Sequence, residues 1–258
     1  MHKYEKIETL FQRGTDGRKE LEYGVWRNPT IRMLKDIPWD WTEKVDGTNI
    51  RVYWNGHTVE FGGRTDAAQI PAPLVNRLNE IFGGETNAQI FEQMFGDREV
   101  HLFGEGYGNK IQACGKQYIH DGVDFILFDV MIGDNYQPRD TVESVAKAFG
   151  IKAVPSVGCG TLDEAVEYVR TNPDSFLGDL KMEGVVCRPM HELRDRCGNR
   201  IYAGVLYSDE DCVFYGKVSG INDLVNFESD SEDHIEYEFH RAVDEYLDLC
   251  KEIEKDYK

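Results

Sequence analysis

The chain has no Cys-x-x-Cys pair. Its six cysteines, Cys114, Cys159, Cys187, Cys197, Cys212 and Cys250, are scattered and join no histidine-rich cluster. Zinc modules and dithiol redox motifs are therefore not encoded, and free thiols in a reducing compartment fit better than a disulfide framework. No run reaches the ~20 apolar residues that a membrane span requires. The opening Met1-His2-Lys3-Tyr4-Glu5-Lys6 lacks an apolar signal core, so a cytoplasmic location is expected. Positive charge is scarce: 29 Lys and Arg stand against 47 Asp and Glu, a net charge of -18. That argues against a non-specific nucleic-acid coat, but it leaves room for an enzyme with a locally basic site, because much of the acid lies late, between residues 228 and 256. Internal repeats and low-complexity linkers are also missing.

What is present reads as globular: 41% hydrophobic and 12% aromatic residues. Its 258 residues fit one large domain, or one domain with an appendage. The pattern divides into a body over residues 1–225 and an acidic helix over 226–258. In the latter, Ile235, Phe239, Ala242, Val243, Tyr246, Leu249, Cys250 and Ile253 form one apolar stripe. Its other face reads as solvated rather than as a surface for a protein partner.

Strands are predicted at 39–44, 49–54 and 57–62, the last two joined through Asn55-Gly56, a strong hairpin signal. Helical spacing follows in Leu74, Leu78, Ile81 and Phe82, stopped by Gly83-Gly84, and in Ile90, Phe91, Met94 and Phe95. Strands at 100–106 and 123–132 precede a helix over 141–149 with Asp140 as its N-cap. A short edge piece at 155–158 leads to a helix opened by a Thr161/Glu164 capping box. The last strands are predicted at 184–189, 205–207 and 212–218. Antiparallel strands with interspersed helices make the class α+β.

The chain is organised around Glu43-Lys44-Val45-Asp46-Gly47-Thr48-Asn49. A strand delivers Lys44, and Asp46-Gly47 predicts a tight turn with Gly47 at positive φ. A lysine on such a frame can act as a nucleophile, although Lys-x-Asp-Gly is also a common surface hairpin. The rest of the chain decides between these readings. Glu105 ends the apolar run Val100–Gly104, and Phe128-Asp129 interrupts another. Glu183 precedes Gly184-Val185-Val186-Cys187-Arg188, and Lys217 breaks Val213–Val218. Strand-borne charges are costly to bury unless paired or bound to a ligand. Converging on one groove, they would hold an anionic ligand and a metal.

These residues resemble the motifs of the covalent nucleotidyltransferases, the polynucleotide ligases and capping enzymes. Lys44-Val45-Asp46-Gly47 is similar to motif I, Phe103-Gly104-Glu105 to motif III, Phe128-Asp129 to motif IIIa and Glu183-Gly184-Val185-Val186 to motif IV, in the right order. Asn49 stands where DNA ligases and capping enzymes usually carry arginine. Together with Gly108-Asn109-Lys110-Ile111-Gln112 and the Arg64 of Gly62-Gly63-Arg64-Thr65, it resembles the RNA ligase branch of phage nick sealers and kinetoplastid editing ligases. Many members there have histidine where Asp46 stands, and motif V usually has two lysines, of which only Lys217 is present.

The resemblance implies a core of two mainly antiparallel sheets enclosing a nucleotide groove, with helices outside. It implies ATP and Mg²⁺ (or Mn²⁺) as cofactors, and RNA with 5′-phosphate and 3′-hydroxyl ends as substrate. Lys44 would take AMP from ATP, pass it to the 5′-phosphate, and a 3′-hydroxyl would then displace it. An ordinary lysine, with a pKa of about 10.4, is protonated at neutral pH, so Mg²⁺ and Lys217 would favour the neutral amine. Glu183 would associate with the metal, and Glu105 would accept from ribose hydroxyls. Phe128 would stack on adenine, and Glu43 would select its amino group. Arg64 and Asn49 would engage the ribose-phosphate or the RNA end. Asp46, Gly47, Asp129 and Arg188 would support the site. The alternatives are a DNA ligase, a capping guanylyltransferase, or a binding module without turnover.

Overall fold

The computed structural model describes residues 2–13, 21–195 and 198–206, the strand backbones of 214–217 and 226–229, and the helical residues His240 and Arg241. β1 (Phe11–Arg13) and β2 (Leu21–Trp26) pair antiparallel ahead of the short α1 (Pro29–Met33). β3 (Trp39–Glu43), β4 (Thr48–Trp54) and β5 (Val59–Gly63) follow, then α2 (Ala72–Phe82) and α3 (Gly84–Phe95). Next come β6 (Val100–Gly108), the one-turn α4 (Gly115–Tyr118), β7 (Val123–Ile132), β8 (Asn135–Tyr136) and α5 (Arg139–Ala148). The remaining elements are β9 (Lys152–Ala153), β10 (Ser156–Gly160), α6 (Leu162–Arg170), β11 (Gly184–Pro189), β12 (Ala203–Leu206), β13 (Phe214–Lys217) and β14 (Asn226–Ser229).

Two sheets carry the fold. One is six-stranded, in the order β5-β4-β6-β7-β8 with β9 parallel to β7; the other is four-stranded, β10-β3-β11-β12. Each sheet buries one face under helices. Strand alternation puts Ile50, Val52, Trp54, Val100 and Leu102 into a core with Leu74, Leu78 and Phe82 of α2, Phe91 of α3 and Val145 of α5. On the second sheet, Trp39, Trp41, Val185 and Cys187 pack against Leu162, Ala165, Val166 and Val169 of α6. The α+β class, with sheets inside and helices outside, is as expected.

Several local expectations need correction. The Asn55-Gly56 loop has four residues, not two, because Trp54 pairs with Val59. The Asn55 side chain accepts from both His57 N and Thr58 N, which makes an Asx turn. The α5 N-cap is Pro138 rather than Asp140, whose carboxylate instead accepts from Thr141 N. Residues 226–229 form a strand paired with β13, not the start of a helix. Apart from His240 and Arg241, the helix predicted over the tail lies outside the described residues. The Thr161/Glu164 capping box is present as predicted. Among the described residues no helix is long and apolar enough to cross a membrane, and Cys114, Cys159 and Cys187 are free.

Candidate active site

The inner faces of the two sheets enclose a cavity of about 440 Å³. Of the predicted site residues, Glu43, Lys44, Gly47, Asn49, Arg64, Glu105, Phe128 and Arg188 line it. Glu183 reaches the same place through an ion pair with Lys44 Nζ, 2.5 Å from its Oε1. Asp46 and Asp129 stand behind the wall. Of Lys217 the structure describes the strand alone, so its predicted phosphate contact lies outside the described side chains.

Lys44 continues the edge of β3, where its backbone N–H donates to Gly184 O across the sheet at 2.9 Å. This register brings the lysine amine onto the carboxylate that begins β11. The loop behind is fixed by α4 and the segment just before it. Asp46 N donates to the Tyr118 hydroxyl, and the Cys114 thiol donates to Asp46 Oδ2 at 3.1 Å. Burial and that carboxylate push the Cys114 thiol up to about 11. Gln112 Nε2 donates to Gly47 O at 2.8 Å, so the Ile111-Gln112 signal marks a clamp on the lysine loop. Contrary to the expected turn, Gly47 does not adopt positive φ. It is required for close approach: a Cβ there would stand 2.4 Å from Gly106 O and 2.8 Å from Glu105 Cγ.

Glu43 is buried, and its carboxylate already accepts from Ser175 Oγ at 2.5 Å and Phe176 N at 3.0 Å. Desolvation raises its pKa while those bonds oppose the shift. Contact with an adenine amino group would have to be made beside two hydrogen bonds.

Across the cavity, Asn49 and Glu105 are direct neighbours on β4 and β6. Burial pushes the Glu105 carboxyl up to about 8; Lys44 and Arg64 counteract this, and Glu183 and Asp46 reinforce it. Phe128 and Asp129 are adjacent in sequence yet serve the same face. The β6–β7 register slips, with Phe103 opposite Asp129 but Gly104 opposite Leu127, so Phe128 is an extra, bulged residue. Its ring lines the cavity, and Asp129 takes hydrogen bonds from Tyr4 Oη (2.8 Å) and Arg200 Nη1 (2.6 Å). Arg188 does not pair with Glu183. It lies 3.7 Å from Asp129 and donates to the Tyr4 hydroxyl at 3.4 Å.

Three polar atoms of this site, Asn49 Oδ1, Glu183 Oε2 and Arg188 Nε, are buried without a partner. Each such atom costs roughly 1–3 kcal/mol when left unpaired. Two acceptors and a guanidinium donor around one cavity suit a ligand with hydroxyls, phosphates and a cation.

Local sequence reasoning missed the segment 2–7, whose Tyr4, Glu5, Lys6 and Ile7 form one wall. It also missed Arg51 and Arg200. Tyr4 touches Phe103 and Phe128 at ring distances of 4.9 Å each, contacts between segments too distant in the chain to leave a local pattern. Lys3-Tyr4-Glu5-Lys6, four charged or aromatic residues in a row before Ile7, carries no period that points to the cavity.

A family-wide sequence profile described as RNA ligase matches residues 37–202. No curated protein gives a significant match. Among solved structures, the chain is similar to the Naegleria gruberi RNA ligase with PPi (TM-score 0.56, 22% identity), covering 80% of this chain and 56% of that one. A point variant of the same protein with ATP and Mn gives TM-score 0.57 at 20% identity, covering 81% and 57%. Another variant with AMP and Mn gives 0.53 at 20%, covering 69% and 52%. The chain thus spans about half the length of the structures it matches, and they share its fold.

Proposed function

The chain belongs to the RNA ligase family, and from that premise we propose that it is an ATP-dependent RNA ligase working through lysyl-AMP on Lys44. The observation that carries this is the pairing of the Lys44 amine with Glu183 at a cavity also walled by Glu105, Asn49, Arg64 and Phe128. Lys44 attacks the α-phosphate of ATP and pyrophosphate leaves. The AMP passes to an RNA 5′-phosphate, and a 3′-hydroxyl displaces it to form the phosphodiester.

The residue types match these tasks. Glu183 now holds the lysine amine in an ion pair. Engaging Glu183 elsewhere would release the amine to attack. Its unpartnered Oε2 suits a divalent cation. No group of three or more His, Cys, Asp or Glu side chains able to hold a metal occurs among the described residues. That suits Mg²⁺ or Mn²⁺ completed by substrate phosphates and water. When bound, the cation would neutralise phosphoryl charge. Glu105 meets the ribose hydroxyls, Asn49 and Arg64 the ribose-phosphate or the RNA end, and Phe128 the adenine face. Lys217 supplies phosphate charge, and Asp46, Gly47, Asp129 and Arg188 hold the frame. The similar Naegleria structures are complexes with ATP and Mn, with AMP and Mn, and with PPi, in keeping with this chemistry.

Asn49 and the Gln112 clamp favour the nick-sealing branch, with RNA bearing 5′-phosphate and 3′-hydroxyl ends as substrate. Residues 1–225 form the catalytic body in this reading, and the acidic tail is an appendage. The test is a panel of 5′-phosphorylated nicked duplexes and single strands with ATP or GTP. Sealing of RNA with ATP is expected; label taken from GTP in preference would turn the reading toward a capping enzyme. Lysine adenylylation without any joined product would leave a binding module.

A further inference from the structure

We propose that Arg51 is a positioning residue for Arg64, acting through the backbone of the turn that carries it and through Asp66. The inference rests on the ligase reading, in which Arg64 touches substrate. Arg51 lies on β4, on the face opposite the buried Ile50 and Val52, and its residue is 1% exposed. A guanidinium so buried needs its donors paired. Here Nε donates to Gly63 O at 2.7 Å, immediately before Arg64. Nη2 donates to Asp66 Oδ1 at 2.9 Å, two residues after it, and Nη1 donates to His2 O at 3.2 Å. One planar fork therefore grips both sides of Arg64 and ties them to the first residues of the cavity wall.

Besides Arg51, an exposed ion pair from Lys3 Nζ to Asp66 Oδ2 at 3.8 Å holds the turn. Ala68 N donates to Thr65 O at 3.0 Å, and a Cβ on Gly63 would stand 2.8 Å from Ala68 Cβ, which keeps the turn tight. Residues 64–69 are otherwise exposed. Arg64 lines the cavity, where its charge acts on Glu105. Its direction is set by the backbone beneath it, and that backbone is set by Arg51. A lysine cannot replace this fork, since one ammonium cannot reach the separate acceptors that the planar guanidinium spans. Misplacing a substrate-positioning group by about 1 Å can cost as much as 10²-fold in rate.

Asp66 offers a milder perturbation than Arg51 itself, because its own side chain is 69% exposed while Arg51 keeps its bonds to the backbone of Gly63 and His2. The experiment measures kcat and KM for adenylylation and for nick sealing in Arg64→Ala, Asp66→Ala, Arg51→Lys and the double variant Arg64→Ala/Asp66→Ala, with thermal unfolding alongside. Asp66→Ala is expected to lose roughly three- to tenfold in kcat/KM in the step that Arg64→Ala impairs, together with a lower unfolding midpoint, because the buried Arg51 loses its carboxylate partner. The double variant should match Arg64→Ala alone. Arg51→Lys should lose more, roughly ten- to a hundredfold. Full activity in Asp66→Ala, or losses that add in the double variant, would overturn the positioning role. If Arg64→Ala itself were fully active in both steps, the site reading would fail instead.

Discussion

On β4 and β6 the outward side chains Ile50, Val52, Trp54, Val100 and Leu102 are fully buried under helices. Their strand neighbours on the other face, Asn49, Arg51, His101 and Glu105, are polar or charged. The same backbone thus serves two environments by period-two alternation. The outer face gains from apolar burial and close packing. The inner face carries unpartnered Asn49 Oδ1 and a Glu105 carboxyl pushed up to about 8. The difference teaches that stability and chemistry are separated across a single sheet, so substitutions on the two faces should fail in different ways.

Trp54→Ala is the strongest test on the outer face. It removes a side chain that stacks on Phe91 at 5.0 Å and should cost about 3–5 kcal/mol in denaturant unfolding, while molecules that stay folded keep nucleotide binding. Glu183→Gln is its counterpart facing the cavity. Adenylylation should slow by roughly 10²–10³ with little change in the unfolding midpoint, and an equal loss of stability would erase the contrast. Gly47→Ala should do both. Its Cβ would strike Gly106 O and displace Glu105, costing about 1–3 kcal/mol and lowering the adenylylation rate. Thr161→Ala, remote from the cavity, should cost about 1 kcal/mol through the lost capping box and leave activity alone.

The comparison also sharpens through pH. Glu105 keeps its proton up to about 8 in the folded chain but loses it near 4.5 when unfolded. The folded state binds more protons in that window, so the contribution to stability is present below about 4.5 and lost as pH rises through about 8. Glu105→Gln should flatten the stability profile between those values, measured by urea unfolding at several pH values. An unchanged slope would mean that another group sets it.

Much of this architecture was legible in local pattern. Alternation placed β4 and β6, helix spacing placed Leu74, Leu78 and Phe82, and Thr161/Glu164 marked a helix start. The residues around the cavity were legible because charges at strand ends had no apolar reason to be there. What escaped reading depended on partners far away in sequence. Gly47 is needed because Gly106 O approaches it, not for its own torsion. Phe128 and Asp129 share a face only because of a bulge set by pairing with β6. Tyr4 and Arg51 take their meaning from Asp129 and from the Arg64 turn, contacts that no window of sequence contains.

Mass measurement of the intact protein after incubation with ATP and Mg²⁺, followed by peptide mapping, tests the central claim most directly. The account predicts a gain of one AMP located on Lys44 and absent from Lys44→Ala. An adduct that persists in Lys44→Ala, or maps to another residue, would contradict it.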